Sequence, residues 1–334
     1  MAQTARAQRR WRGLVPEWTV PIAELRSRPV VATASVAAAA LVPLSFCGSL
    51  WWPLDLLAQA RVHLAAALAL LCVAALALRL RLAALVAVAA LGLSVADVLI
   101  HRGTVAALRP DGPTVTIVSA NVWGRNGDYE RLGALVVEQD ADIVLLQEAW
   151  PERVGAQGSL ARYPYRASLP DEAGHGLMLL SRLPVTDLRT LAVSRHSRIG
   201  LVATLASDLG PLHVVVAHLT RPTTRWSFRF QRRYFEAVAA LPELDRDPVV
   251  VAGDLNGTPW SLAMKRFVAG SGLRLAPSGA TWPSWLGPFG LPLDHVLTNG
   301  EACVAALGIG DDIGSDHLPV VAEIGLCQGS PGTP

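Results

Sequence analysis

The spacing of apolar positions divides the chain into two unlike parts. Between Val30 and Trp52 no charged side chain occurs, and such a run can cross a hydrocarbon core, which takes ~20 apolar residues. A second run, about Leu54 to Leu78, carries Asp55 and Arg61 near its start. A third extends from Leu82 to Ile100 with Asp97 near its end. From Pro113 onward the long runs give way to short Val-, Ile- and Leu-rich segments that end near Gly, Pro, Asn or Asp. These are strand signals, and they predict strands at Val115–Ser119, Ile143–Gln147, Leu177–Leu180, Leu201–Leu205, His213–Ala217, Val249–Ala252, His295–Leu297 and Leu318–Ile324. Helical stretches are expected at Tyr129–Gln139, Thr224–Leu241 and Trp260–Ala269.

The pattern predicts an N-terminal segment (1–29), three transmembrane helices (30–101), a linker (102–112), a mixed domain (113–327) and a tail (328–334). A cleaved signal peptide would begin earlier, be shorter and stand alone. Trp51 and Trp52 fall where an interfacial aromatic belt is expected.

Charge sharpens this division. Residues 1–110 carry 11 Arg against 4 acidic residues, and residues 111–334 carry 18 Lys+Arg against 23 Asp+Glu. The formal net charge of +2 therefore averages a basic front and an acidic back. Arg6, Arg9, Arg10, Arg12, Arg26 and Arg28 precede the first run, and Arg79 and Arg81 separate the second from the third. The positive-inside rule puts the N-terminus and that connection in the cytoplasm. Three crossings then make the protein multi-pass in the cell membrane, with the mixed domain extracytoplasmic. Cys47 and Cys72 lie within the apolar runs. Cys303 and Cys327 lie in the exported part, where a disulfide would persist, and spacing alone leaves their bridging open.

The polar residues of the mixed domain gather at strand ends. Val-Ser-Ala-Asn121 closes one strand and Leu-Leu-Gln-Glu148 another. Ala-His218-Leu and Ala-Gly-Asp254-Leu-Asn256-Gly follow two more, and Leu-Asp294-His295-Val and Gly-Ser-Asp316-His317-Leu-Pro come later. Singly, such residues form ordinary turns. Together they offer carboxylates, carboxamides and imidazoles that can converge on one rim of a sheet. Oxygen ligands of this type suit a hard cation such as Mg²⁺, and imidazoles transfer protons near neutral pH. No zinc-type Cys/His spacing, P-loop or Gly-x-Gly-x-x-Gly pattern occurs.

The order and form of these motifs, with Gly176-Leu-Met-Leu-Leu-Ser-Arg-Leu-Pro184 between them, resemble the endonuclease/exonuclease/phosphatase superfamily over roughly Thr114 to Ile324. The resemblance implies an α+β fold, a four-layer α/β/β/α sandwich, and metal-dependent hydrolysis of phosphate esters. At matching positions it implies that Glu148 binds Mg²⁺, or Mn²⁺ in its place, with Asn121 beside it and Asp316 supporting the metal site or holding the loop that carries His317. Asp254 would orient or deprotonate the attacking water, with Asn256 helping to hold it. Asp294 would fix the tautomer of His317, which acts as general base or stabilises phosphate charge. His218 would contact a phosphate oxygen. The layout also looks like membrane-anchored bacterial members associated with glycopeptide resistance.

For the substrate, the acidic balance of the domain is unfavourable for duplex DNA, whose binding depends on phosphate neutralisation. The expected partners are the membrane and a lipid-linked or small phosphate ester, such as a phospholipid or an isoprenoid-linked (pyro)phosphate of the cell envelope. An extracytoplasmic nuclease and a non-catalytic anchored binding module are the alternatives. Arg221, Arg225, Arg229, Arg232 and Arg233 follow His218 and partly share a helix face, which would bind headgroup phosphates near the site or, for most of these arginines, simply be a solvated face; Arg221 is closest to the site in sequence. Trp282, Trp285 and Phe289 lie in a Gly- and Pro-rich stretch, Thr281–Pro292, that would enter the interface, grip an apolar substrate or pack as an ordinary loop.

Overall fold

A computed structural model of the chain describes residues 22–104, 112–126, 128–172, 174–194 and 197–327. Most of the expected N-terminal segment, the centre of the linker and the C-terminal tail lie outside these residues.

The first apolar run forms helix α1 (Ile22–Ser45). The middle run is not the continuous span that its hydropathy suggests. It is broken at Ala60 into α2 (Pro53–Gln59) and α3 (Arg61–Ala77), which meet at 69°. The third run forms α4 (Arg81–His101). Among the described residues two helices, α1 and α4, are thus long and apolar enough to cross a membrane, or three if α2 and α3 make one bent span. The break follows from the polar residues in this run: Asp55, Gln59 and Arg61 are buried against other groups of the protein.

The mixed domain begins with β1 (Val115–Asn121), α5 (Glu130–Glu138), β2 (Ile143–Ala149), α6 (Pro151–Ala156), β3 (Tyr165–Pro170) and β4 (Gly176–Ser181). It continues with β5 (Val185–Ser194), β6 (Ser197–Ser207), β7 (Gly210–His218), α7 (Arg225–Ala239), β8 (Val249–Asp254) and α8 (Leu262–Ser271). It ends with β9 (Arg274–Leu275), β10 (Asp294–Thr298), β11 (Ala302–Ile309) and β12 (Val320–Leu326). The strands form two six-stranded sheets, ordered β11-β12-β1-β2-β4-β3 and β5-β6-β7-β8-β10-β9.

Each sheet is built around a parallel pair, β1 with β2 and β7 with β8. These central strands are apolar on both faces, as strands covered on both sides must be. Successive side chains point to opposite faces, so in β7 Val214 and Val216 enter the core between the sheets while Val215 and Ala217 face the helices. Ile117, Leu145 and Val250 complete the inter-sheet core. Helices α7 and α8 cover one outer face, where the rings of Phe235 and Phe267 stack at 4.3 Å. Helix α5 covers the other with Leu132 and Val136, beside Val154 of α6. The layering is therefore α/β/β/α. A disulfide joins Cys303 of β11 to Cys327 at the end of β12 and fastens the sheet edge.

The apolar helices and the mixed domain meet at a polar junction. Asp55 Oδ1 accepts the Leu262 N–H at 2.6 Å at the start of α8, and Gln59 Oε1 accepts the Thr258 N–H at 2.7 Å. Trp260 Nε1 donates to the Gln59 carbonyl at 3.1 Å. Asp97 of α4 pairs with Arg61 at 3.2 Å and with Lys265 at 2.5 Å. Phe46 lies beneath both cations, 4.4 Å from the Arg61 guanidinium and 5.1 Å from the Lys265 ammonium. The chain from Thr258 to Lys265, just past Asp254 and Asn256, is thus held directly against the helices.

Candidate active site

The two parallel pairs place their C-terminal ends at one rim, and the candidate residues sit there. In sheet register His218 is opposite Asp254, and Asp254 is opposite Asp294. The close approach of β7 and β8 at this point depends on Gly253. Its φ is +143°, and a Cβ there would lie 1.9 Å from the Ala217 carbonyl oxygen. No other residue fits, which gives the Ala-Gly-Asp sequence a steric cause.

Asp254 accepts three hydrogen bonds and keeps acceptor capacity on Oδ1. It accepts the Asn256 backbone N–H at 2.9 Å, the Asn256 amide at 2.9 Å and the Asn121 amide at 3.1 Å. Asn256 adopts φ +47°, a left-handed conformation that Asn tolerates, and it also donates to the Leu219 carbonyl at 2.7 Å. His317 Nδ1 lies 2.8 Å from Asp294 Oδ2, and His317 Nε2 lies 3.7 Å from Asp254 Oδ2. His218 Nε2 stands 3.6 Å from Glu148 and 3.7 Å from Asp254.

Glu148 reaches the site through an irregular backbone. Its φ is +55°, and the pairing of β2 with β4 shifts register between Leu146 and Ala149. A non-glycine residue held this way costs on the order of 1–3 kcal/mol. The distortion brings its carboxylate to the Gly124 N–H at 3.1 Å and the Asn121 amide at 3.2 Å.

Proton affinities are displaced in opposite directions. Burial, reinforced by the charge of Asp294, raises the Asp254 carboxyl to about 6 against the pull of His317 and His218. Burial alone would lower His317, but the charge and hydrogen bond of Asp294, then Asp254 and Asp316, raise it to about 9. Burial would likewise raise Glu148, yet the Gly124 N–H, His218, Asn121 and His317 together hold it below its ordinary value.

The donor set fits a hard divalent cation. Three carboxylates, Glu148, Asp254 and Asp294, face two imidazoles, and one oxygen of Asp294 is buried without a hydrogen-bond partner. Asp254, Asp294 and His317 bring ligand atoms within 4.8 Å of one another. However, all three are 1% exposed, and His317 already bonds Asp294. An ion that keeps its waters is better served by Glu148, which opens onto the cleft, with Asn121 turned toward it.

That cleft, about 590 Å³, is bordered by Glu148, His218, Arg221, Phe230 and Asn256. The guanidinium of Arg221 lies over Trp282, 5.8 Å from the ring centroid. Arg225, Arg229 and Arg232 do not share this cleft. They turn to the other side of α7, against residues 48–52. Asp316 accepts from Trp282 Nε1 at 3.2 Å, and its carbonyl accepts the Ser284 N–H at 2.8 Å. Of the two roles expected for it, this geometry matches holding the loop.

Three supporting residues carried no sequence signal. Ser315 joins two strand ends, donating to the Asn121 carbonyl at 2.7 Å and accepting the His317 N–H at 3.1 Å. Thr281 accepts the Asp294 N–H at 3.2 Å. Gln231, fully buried on α7, donates to the carbonyls of Leu255 and Asn256 at 2.9 and 3.2 Å and fixes the loop after Asp254.

A model of the Endonuclease/Exonuclease/phosphatase family matches residues 118–317. Among solved structures, the chain is similar to an endonuclease/exonuclease/phosphatase from Beutenbergia cavernae, with 21% identity, 64% of this chain and 72% of that one covered, and a TM-score of 0.53. It is similar to a family member from Bacteroides vulgatus at 15% identity over 64% and 99% of the chains, TM-score 0.55. It is also similar to the 3′ phosphatase NExo from Neisseria, bound to a product DNA hairpin, at 19% identity over 62% and 98%, TM-score 0.51. No curated protein matches the chain.

Proposed function

Because the chain belongs to the endonuclease/exonuclease/phosphatase family, we propose that it is a membrane-anchored, metal-dependent phosphoesterase with an extracytoplasmic catalytic domain. The observation that carries this reading is the convergence of Asp254, Asp294, His218, His317 and Glu148 on one rim. Phosphoryl transfer to water needs an aligned nucleophile and stabilised equatorial oxygens more than covalent chemistry.

Asp254, ionised above about 6, accepts the proton of the attacking water, and Asn256 keeps the carboxylate oriented. His317, protonated below about 9, presents Nε2–H to a phosphate oxygen, with Nδ1–H committed to Asp294. His218 supplies a second contact and Arg221 a third at the cleft edge. Mg²⁺ held by Glu148 and Asn121 would neutralise charge on the phosphate oxygens.

The location of the cleft supports a membrane-associated substrate. His63 near the start of α3 bonds the Phe289 carbonyl at 2.7 Å, so the Trp282–Phe289 loop borders both the cleft and the apolar helices. Trp285 and Phe289 on that loop are 73% and 74% exposed, as expected of side chains that enter a lipid interface. The turn between α1 and α2 and the end of α4 lie on the side of the mixed domain. With α2 and α3 taken as one bent span, three crossings and the positive-inside rule would put the site outside. We place the substrate among phospholipids or isoprenoid-linked (pyro)phosphates of the envelope, in the layout of the glycopeptide-resistance branch.

Assay of the full chain in detergent micelles against lipid phosphates, nucleic acids and a generic phosphodiester, with Mg²⁺ and with chelator, tests the reading. Turnover of a lipid phosphate that chelator abolishes is expected. Cleavage of DNA but not lipid makes the protein a nuclease, and inactivity on every substrate overturns the enzyme.

A further inference from the structure

The arginines that turn away from the catalytic cleft define a second cavity. About 420 Å³ in volume, it lies between α7 and the turn that follows α1, with Arg225, Arg229 and Arg232 on one wall and Ser49, Trp51 and Trp52 on the other. Among the described residues no carboxylate lines it. Arg232 reaches Glu236 only at 3.9 Å along the helix surface, and Arg225 and Arg229 have no hydrogen-bond or ion-pair partner among the described residues.

Three cations on one helical stripe are unfavourable for the helix that carries them. Like charges one turn apart repel, and Arg225 occupies the first turn, where the helix dipole disfavours a cation. The domain is acidic elsewhere, with 18 Lys+Arg against 23 Asp+Glu in residues 111–334. The cluster is therefore a local reversal of sign. Helix stability does not account for it, whereas an anion bound between the arginines would. Guanidinium groups match phosphate oxygens in geometry and can bind them through paired N–H donors.

The opposite wall indicates which phosphate. Residues 48–52 directly follow the apolar helix α1, and Leu50 and Trp51 on this turn are 83% and 61% exposed. An exposed Leu-Trp pair at the end of a membrane helix belongs at headgroup depth. The cavity thus opens where lipid phosphates lie, and none of its lining residues borders the catalytic cleft. We propose that Arg225, Arg229 and Arg232 form a docking site for the phosphate of an anionic lipid headgroup, separate from the catalytic centre. This rests on the membrane-anchored reading. Occupancy would fix the mixed domain against the bilayer and leave the cleft free for substrate.

The test uses the full chain reconstituted into nanodiscs of phosphatidylcholine with or without phosphatidylglycerol, followed by native mass spectrometry of retained lipid. Wild type is expected to retain phosphatidylglycerol over phosphatidylcholine. The Arg225→Gln/Arg229→Gln/Arg232→Gln variant should lose that preference, by roughly fivefold per arginine, while its near-ultraviolet circular dichroism stays native. Arg233→Gln removes one charge from the same helix outside the cavity and should keep the preference. Displacement of lipid by vesicles of phosphatidylglycerol but not by excess inorganic phosphate identifies the headgroup as the ligand, and displacement by inorganic phosphate alone overturns a lipid site. Equal retention by the triple variant, or equal loss in Arg233→Gln, also overturns it. Failure of wild type to enter nanodiscs refutes the membrane anchor, and the proposal falls with it.

Discussion

His317 Nδ1 lies 2.8 Å from Asp294 Oδ2, and the two side chains are almost completely withdrawn from solvent. This bond commits one ring nitrogen and leaves Nε2 directed at Asp254, 3.7 Å away. Asp294→Asn keeps the size of the side chain but removes the charge that holds the imidazole protonated. The expected result is a loss of kcat of about 10²–10⁴-fold in the folded variant, the usual scale of a positioned acid or base, together with a lower melting temperature below about pH 9, because His317 loses its buried partner. A loss under tenfold would show that the pair is structural only.

The displaced proton affinities predict a bell-shaped rate profile. Activity should rise as Asp254 ionises through about 6 and fall as His317 loses its proton through about 9. Because the groups interact, the limbs belong to the cluster as a whole. An activity that keeps rising past the upper limb would instead favour His317 as a base.

Stability in chelator follows from the same shift. Folding raises the pKa of His317 from 6.5 to about 9, so its contribution is fully present below 6.5 and is lost as pH rises through about 9. Melting curves of wild type and His317→Gln should therefore converge across the alkaline range. A constant gap would contradict the assignment.

Asp97 anchors the helices to the domain through Arg61 and Lys265. Asp97→Asn leaves Arg61, which is 0% exposed, without a carboxylate. Removing one partner of a buried pair costs roughly 3–5 kcal/mol. Limited proteolysis of the full chain in nanodiscs should show faster cleavage near Thr258–Lys265 than in wild type. An unchanged cleavage rate would mean that the junction contributes little.

The central strands and the strand-end chemistry were legible because both faces of β1, β2, β7 and β8 are buried, which forces continuous apolar runs that end abruptly in polar residues. Strands β3, β5 and β9 escaped notice because they are sheet edges with a ladder on one side only. The polar Thr186, Asp187, Arg189 and Thr190 of β5 resemble a loop in sequence. The break at Ala60 was equally hidden, because hydropathy counts Asp55 and Arg61 as tolerable charges in a span and does not reveal that they have partners in a distant part of the chain. Site residues with chemistry of their own could be found. Ser315, Thr281 and Gln231, which hold other residues in place, could not, since their partners are backbone atoms far away in sequence.

The most direct measurement is Mg²⁺-dependent hydrolysis by purified wild type, Asp254→Ala and His317→Ala, each checked for native circular dichroism. The account predicts turnover in wild type that chelator abolishes, and loss of at least about 10²-fold in both folded variants. Near-wild-type turnover in either one would contradict it.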